Sequence, residues 1–284
     1  MKKKIGIVIL ATMMATLVAC GNESKIGSNE TSTVAIDNET ENNTQENTTE
    51  EKHESNNDEL SNEYLLSLPE TTVEDFNYHE MDDGNIAIDR YWGTGGGDVV
   101  IVVPDEIDGK KVTKIAFEAF MSVWAKAIVL NENVNEISKD AFVGVRVDKL
   151  LICGDVKKIE EGTFTSSTVS AIELPDTLEE IDSGAFNMCN IEEITLPSNL
   201  KKIGDSAFIY SKLQKVYFKG GQVEVGLMAF SFCRKLTEVH ILDCEVQFGK
   251  DVFESTENVT IFAPAGSAAE EYAKANDINF EILD

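Results

Sequence analysis

Chemistry in this 284-residue chain would have to start from three histidines, five cysteines, one glycine-rich loop and a large supply of carboxylates. His53, His79 and His240 lie far from one another, and none stands at the short spacing to a second His or a Cys that a zinc site needs. No GxSxG nucleophile elbow and no HExxH pair occurs. The loop Thr94-Gly-Gly-Gly-Asp98 resembles a phosphate cradle only superficially. It lacks the GK[ST] that follows in a P-loop, and it runs into the strand-like VVIVV, so no helix N-terminus would meet a phosphate. We read it as a flexible turn. Adjacent carboxylates such as Glu179 and Glu180 could serve acid–base chemistry, but pairs of this kind are abundant and read as a solvated rim. No metal, no cofactor and no enzymatic activity are expected.

The remaining chemistry is covalent and lies at the N-terminus. Residues 1–19 carry three lysines and then an unbroken run of apolar and small residues, the layout of a secretory signal, too short for a membrane span. The run closes in LVAC, which resembles the bacterial lipoprotein box. That resemblance implies cleavage before Cys20 and acylation of its thiol, with anchorage of the mature chain at the outer face of the cytoplasmic membrane and display at the cell surface.

Residues 20–63 are read as a disordered acidic tether. From residue 21 onward the tether holds 12 acidic residues against 2 lysines and almost no large apolar side chain, so ordering it would cost entropy that no burial offsets. Like-charge repulsion extends such a segment, to at most about 150 Å. The whole chain has a formal net charge of −27, and the folded remainder is also acidic. Nucleic acid is therefore excluded as a partner, because phosphate binding needs basic clusters. An anionic lipid surface is disfavoured too, which leaves Cys20 as the sole membrane attachment.

The elements that position everything else follow from a repeat. A ring recurs at Phe120, Phe142, Phe164, Phe186, Phe208 and Phe230, 22 residues apart each time, and Phe253 follows 23 residues later. Ile115, Ile137, Ile159, Ile181, Ile203, Val225 and Phe248 each precede their ring by five residues. A third mark is an apolar pair with one residue between, such as Ile172/Leu174, Ile194/Leu196, Val216/Phe218, Val239/Ile241 and Val259/Ile261. Period-2 alternation makes each pair a short strand, which Pro175 and Pro197 close in their turns. One unit cannot bury its own apolar side chains, so the turns must stack, with strands about 4.8 Å apart.

The consensus IxLPxxLxxIGxxAF, carried by LPDTLEEIDSGAF (174–186) and LPSNLKKIGDSAF (196–208), resembles the BspA-type leucine-rich repeats of bacterial surface proteins. The resemblance covers residues 76–283 and implies a β-rich repeat solenoid. Its features would be a right-handed leucine-rich-repeat coil, a parallel sheet on one face and a short C-terminal helix. The domains expected are a signal peptide (1–19), the tether (20–63), an N-terminal capping segment (64–98), the solenoid (99–263) and a C-terminal cap (264–284). Cys189 and Cys233 would stand two turns and about 10 Å apart, beyond disulfide reach, so no disulfide is expected and the cysteines are read as small packing thiols.

Recognition is then left to the outward positions. Between the apolar pairs stands one ladder of side chains: Val102, Val129, Leu151, Glu173, Thr195, Tyr217, His240 and Thr260. The early aliphatic members are read as covered by the N-terminal capping segment. The later members face outward. A second stripe, two residues past the ring, reads Met188, Tyr210 and Phe232 in three consecutive turns where others carry Ser122, Gly144 and Ser166. Tyr217, His240, Tyr210, Phe232, Met188, Glu173 and Thr195 are the candidate binding surface, because aromatic groups with few rotors make strong anchors. The expected function is binding or adhesion to a protein or glycan by a lipid-anchored surface protein. The alternative is a structural envelope component docked to another surface protein of the same cell.

Overall fold

Each 22-residue unit leaves its ring and its branched aliphatics exposed until a neighbour covers them, and the chain resolves this by coiling. In the computed structural model, residues 60–283 are described, apart from Asp243; the expected signal peptide, Cys20 and residues 21–59 lie outside them. The described chain forms a β-solenoid.

Strands β3 (Val100–Val102), β6 (Trp124–Leu130), β8 (Arg146–Ile152) and β10 (Thr168–Glu173) make a parallel four-stranded sheet. Strands β12 (Glu193–Leu196), β14 (Lys215–Phe218), β16 (Glu238–Ile241), β18 (Thr260–Ala263) and β19 (Asn279–Ile282) make a second, five-stranded one. The apolar pairs alternate with outward residues as expected, except at the end. Phe262, not Thr260, pairs in register with His240, so the outward ladder ends on an aromatic ring. The spacing misled because Val259/Ile261 looks like the apolar pair while the structure uses Ile261/Ala263.

A further ladder runs at the second mark. Two of its strands, β2 (Ile86–Tyr91) and β5 (Lys110–Ile115), pair in parallel, and β5 also pairs with β7 (Glu136–Ile137). The same mark then continues through β9 (Lys158–Ile159), β11 (Glu180–Ile181), β13 (Lys202–Ile203), β15 (Gly221–Val225) and β17 (Cys244–Phe248). Before this mark the sequence alternates Lys114, Glu136, Lys158, Glu180, Lys202 and Glu224, so opposite charges meet in adjacent turns. Lys202 Nζ lies 2.8 Å from Glu180 Oε1, and Lys114 bridges Glu136. Exposed pairs of this kind add little stability, but skipping a turn would set like charges opposite one another.

The rings form one buried column. Phe120, Phe142, Phe164, Phe186, Phe208 and Phe230 stack at centroid spacings of 4.9–5.4 Å. Tyr91 extends the column at one end, and Phe253 and then Tyr272 close it at the other. The backbone N–H groups of the ring residues donate down the stack, for example Phe186 N to Ala207 O at 2.7 Å. The backbone around each ring is thus a ladder in its own right, which satisfies groups that burial would otherwise strand.

Two caps close the core. Strand β1 (Phe76–Glu80) pairs antiparallel with β2, and β4 (Glu106–Ile107) with β5. At the other end helix α2 (Ala268–Ala275), with Ser267 as its N-cap, packs on β17, β18 and β19. Helix α1 (Asn62–Ser67) begins two residues inside what the sequence assigns to the tether, with Ser61 accepting from Tyr64 N at 3.2 Å.

Candidate functional site

The outward face of the sheets divides into a covered half and an open half. Leu65 of α1 is buried against Ala127, Val129 and Leu151, with Leu60, Leu68, Val100 and Val102 around them. These aliphatic ladder positions therefore form a small second core under the capping segment. Lys149 Nζ donates to Leu60 O at 3.1 Å and also to Asn62 Oδ1, and Asn62 Nδ2 donates to Glu173 Oε2 at 2.6 Å. Lys149 and Glu173 complete the clasp with an ion pair at 3.0 Å. Burial pushes the Glu173 carboxyl up, but these hydrogen bonds outweigh it and hold it below the usual range. Of the seven candidate residues, Glu173 is the one tied into the helix cap.

Beyond Glu173 the ladder is open. Thr195, Tyr217, His240 and Phe262 follow one another in register. Tyr217 and His240 stack at 4.8 Å, and His240 and Phe262 at 4.5 Å with their planes only 4° apart. All three rings are half-buried. His240 Nε2 lies 2.9 Å from Glu238 Oε2, and Glu238 pairs through its other oxygen with Lys215 at 3.0 Å. The His240 contact first, and Lys215 second, hold the Glu238 carboxyl low. The result is a flat aromatic strip flanked by a charged relay. With their faces stacked on one another, the rings offer edges and polar tips, which can pack against an apolar group and hydrogen-bond to its rim.

A break in the ladder adjoins this strip. The outward sheets do not join between β10 and β12, although the rings of the same two turns, Phe164 and Phe186, stack at 4.9 Å. The cause is a change of turn type. In the turns of Phe120, Phe142 and Phe164 the strands start soon after the ring, at Trp124, Arg146 and Thr168. In the next turns Ile191 and Leu213 are buried on irregular backbone and the strands start later, at Glu193 and Lys215. The split leaves a cleft of about 470 Å³ whose lining includes Ser170, Glu173, Glu193, Thr195 and Lys219.

The second stripe sits on the edge of the coil. Ser122, Gly144, Ser166, Met188, Tyr210, Phe232 and Ser255 all have φ of 55 to 66°, in the left-handed region. Gly, Asn and Asp suit this conformation, while a larger L-residue is strained by about 1–2 kcal/mol. Met188 and Tyr210 are nonetheless 55% and 52% exposed, and Tyr210 stacks on Phe232 at 4.7 Å. Sequence reasoning found the stripe and missed its backbone, because only Gly144 among the seven signals a positive φ.

The cysteines are accommodated by this packing. Cys189 and Cys233 are buried, and Ser167 Oγ and Ser211 Oγ lie 3.2 Å from their respective sulfurs. Burial pushes the Cys233 thiol up to about 11. Among the described residues no cluster of three or more His, Cys, Asp or Glu side chains could hold a metal ion, and no helix is long and apolar enough to cross a membrane.

Comparison with known proteins places this geometry. The family model described as "BspA type Leucine rich repeat region" matches in six copies, over residues 106–211 and 157–268. Among solved structures, the T. pallidum leucine-rich repeat protein aligns with a TM-score of 0.50 at 25% identity, covering 75% of this chain and 98% of that one. A Bacteroides ovatus leucine-rich repeat protein aligns at 0.42 and 14% identity, covering 76% of this chain and 100% of that one. The pneumococcal vaccine antigen PcpA aligns at 0.38 and 14%, covering 74% and 96%. No curated protein matches the chain significantly.

Proposed function

Because this chain belongs to the BspA-type leucine-rich repeat family, we propose that it is a surface-recognition protein that binds a protein or glycan through the uncovered half of its solenoid. The observation that carries this reading is the presence of Met188, Tyr210 and Phe232 at left-handed positions that other turns fill with serine or glycine. The fold works with small residues there. The serines share the left-handed backbone, so what sets these three turns apart is size: Met188 and Tyr210 expose large apolar side chains beside a half-buried Phe232, a patch of the kind that marks a contact outside the chain. Tyr217, His240 and Phe262 supply a second aromatic strip on the neighbouring face. Both strips lack the basic clusters that nucleic acid requires.

Export and anchorage belong to the same proposal. The lysine-led apolar leader and the LVAC box support lipid attachment at Cys20, with the acidic segment after it holding the solenoid away from the bilayer. In the producing cell, Cys20→Ser should move the protein from the membrane fraction to the soluble fraction; retention of the variant in membranes defeats the anchor. For recognition, the purified chain is screened against immobilised matrix proteins and a glycan array. Saturable binding that the Tyr217→Ala/His240→Ala double variant loses, with unfolding unchanged, is the expected result. Equal binding by the double variant removes the sheet face from the proposal.

A further inference from the structure

The recognition surface above uses neither of the chain's two tryptophans. Both are elsewhere and together. Trp92, just after β2, and Trp124, the first residue of β6, are 63% and 59% exposed and line one cleft of about 380 Å³. Arg90 lines the same cleft, its guanidinium carbon 5.1 Å from the centre of the Trp92 ring. Arg146 stands beside Trp124 as its register partner on β8 and is exposed. The chain has only three arginines. Its two tryptophans and Arg90 therefore line one cleft, with Arg146 in register beside Trp124, and Trp and Arg are among the residue types most enriched in binding hot spots.

The glycine run builds this site. Sequence reading made it a flexible turn, but Gly96 N donates to Trp124 O at 2.7 Å and Thr94 O accepts from the Tyr91 hydroxyl at 3.3 Å. A Cβ on Gly95 would stand 2.7 Å from Trp124 O, and one on Gly97 would stand 3.2 Å from the Trp124 indole. Gly95 lets the loop lie against this strand, and a side chain at Gly97 would push the ring aside by a few tenths of an ångström. The indole is thus braced on one side while most of it stays open to solvent, so little ordering entropy remains to be lost on binding.

We propose that this cleft binds an acidic saccharide. An open indole offers a flat apolar surface of the kind on which the C–H face of a pyranose stacks. A guanidinium presents a rigid donor fork that matches a carboxylate, and Arg90 is already oriented by its ring contact. Charge complementarity selects the acidic sugar. Lys110, Lys114, Lys149 and Lys158 are paired with carboxylates, whereas the contact of Arg90 is the Trp92 ring. The repulsion of this acidic chain for an anion is screened beyond about 8–10 Å at physiological salt, so Arg90 in the cleft, with Arg146 beside it, is set mainly against the near carboxylate of Asp75. The volume lies at the small end of small-molecule sites and suits a short saccharide segment. The site is separate from the Tyr217–His240 face and does not depend on it.

Because both indoles lie here, intrinsic tryptophan fluorescence reports this cleft directly. The full chain is titrated with tetragalacturonate and with sialyllactose, alongside cellotetraose as the neutral control and tetraglutamate as an acidic peptide. A saturable change is expected with at least one acidic saccharide, at least tenfold tighter than with cellotetraose or tetraglutamate. Arg90→Gln and, independently, Arg146→Gln should weaken it about tenfold, and Trp92→Ala should abolish it, with circular dichroism unchanged. The Tyr217→Ala/His240→Ala variant should bind as the parent does, which separates this site from the sheet face. No saturable response to either acidic saccharide, an equal response to cellotetraose or to tetraglutamate, or parental affinity in both arginine variants overturns the proposal.

Discussion

Tyr210 and Phe232 stack at 4.7 Å from two adjacent turns, each on a left-handed backbone with φ of 59° and 58°. The stack stands on a strained backbone that glycine at the same place would relieve. Met188, one turn earlier at φ 57°, has no such stacking partner and isolates the effect. Met188→Gly should return about 1 kcal/mol of strain and lose a similar amount through the freer unfolded chain. The unfolding midpoint should stay level or rise slightly while ligand binding weakens. A destabilisation above about 2 kcal/mol would show that Met188 is a packing residue.

The ring column predicts the opposite balance. Phe186 is fully buried and stacks on Phe164 and Phe208 at 4.9 Å on both sides. Phe186→Ala should cost about 3–5 kcal/mol in urea unfolding, as expected for a large ring removed from a close-packed core.

Val129 tests the helix cap. Although outward on its strand, it is buried beneath Leu65 of α1. Val129→Ala should destabilise by about 2 kcal/mol and speed hydrogen exchange in residues 62–67. A silent substitution would mean that α1 does not hold this face.

Acid should release the same helix. The Glu173 carboxyl is held below its unfolded value near 4.5, so the folded chain binds fewer protons there than the unfolded one. Its stabilisation is complete above that value and is lost as pH falls through the lowered one. Exchange protection of α1 should therefore drop selectively in that acid window. In Glu173→Gln, protection should be lower at neutral pH and should no longer change there.

The buried thiols make a fifth test. With Cys233 pushed up to about 11, its thiolate is scarce at pH 8, and burial blocks access besides. Iodoacetamide should leave Cys189 and Cys233 unmodified in the native chain and label both in urea; peptide mapping reads the outcome.

The solenoid was legible because a repeat writes each contact seven times. Rings at one spacing must occupy one column, and Tyr217 and His240, at corresponding places in consecutive turns, had to become neighbours on the sheet. The candidate strips were legible for the same reason, since alternation assigns each side chain a face. What broke the repeat escaped. Phe262 hides behind a two-residue slip in β18, and Tyr91 and Tyr272 join the column from outside the periodic pattern.

By itself the sequence determined the coil, its buried marks and the sign of its charge, because these depend on residue type at a fixed interval and on contacts between adjacent turns. Only the tertiary structure decided which outward residues are free. Asn62 reaches Glu173 across 111 residues, Trp92 reaches the Trp124 cleft through a braced loop, and the sheet parts between β10 and β12. None of these is periodic. Each depends on how a non-repeating segment packs against the stack, where three-dimensional sterics and long-range hydrogen bonds choose the partner and local spacing carries no record of it.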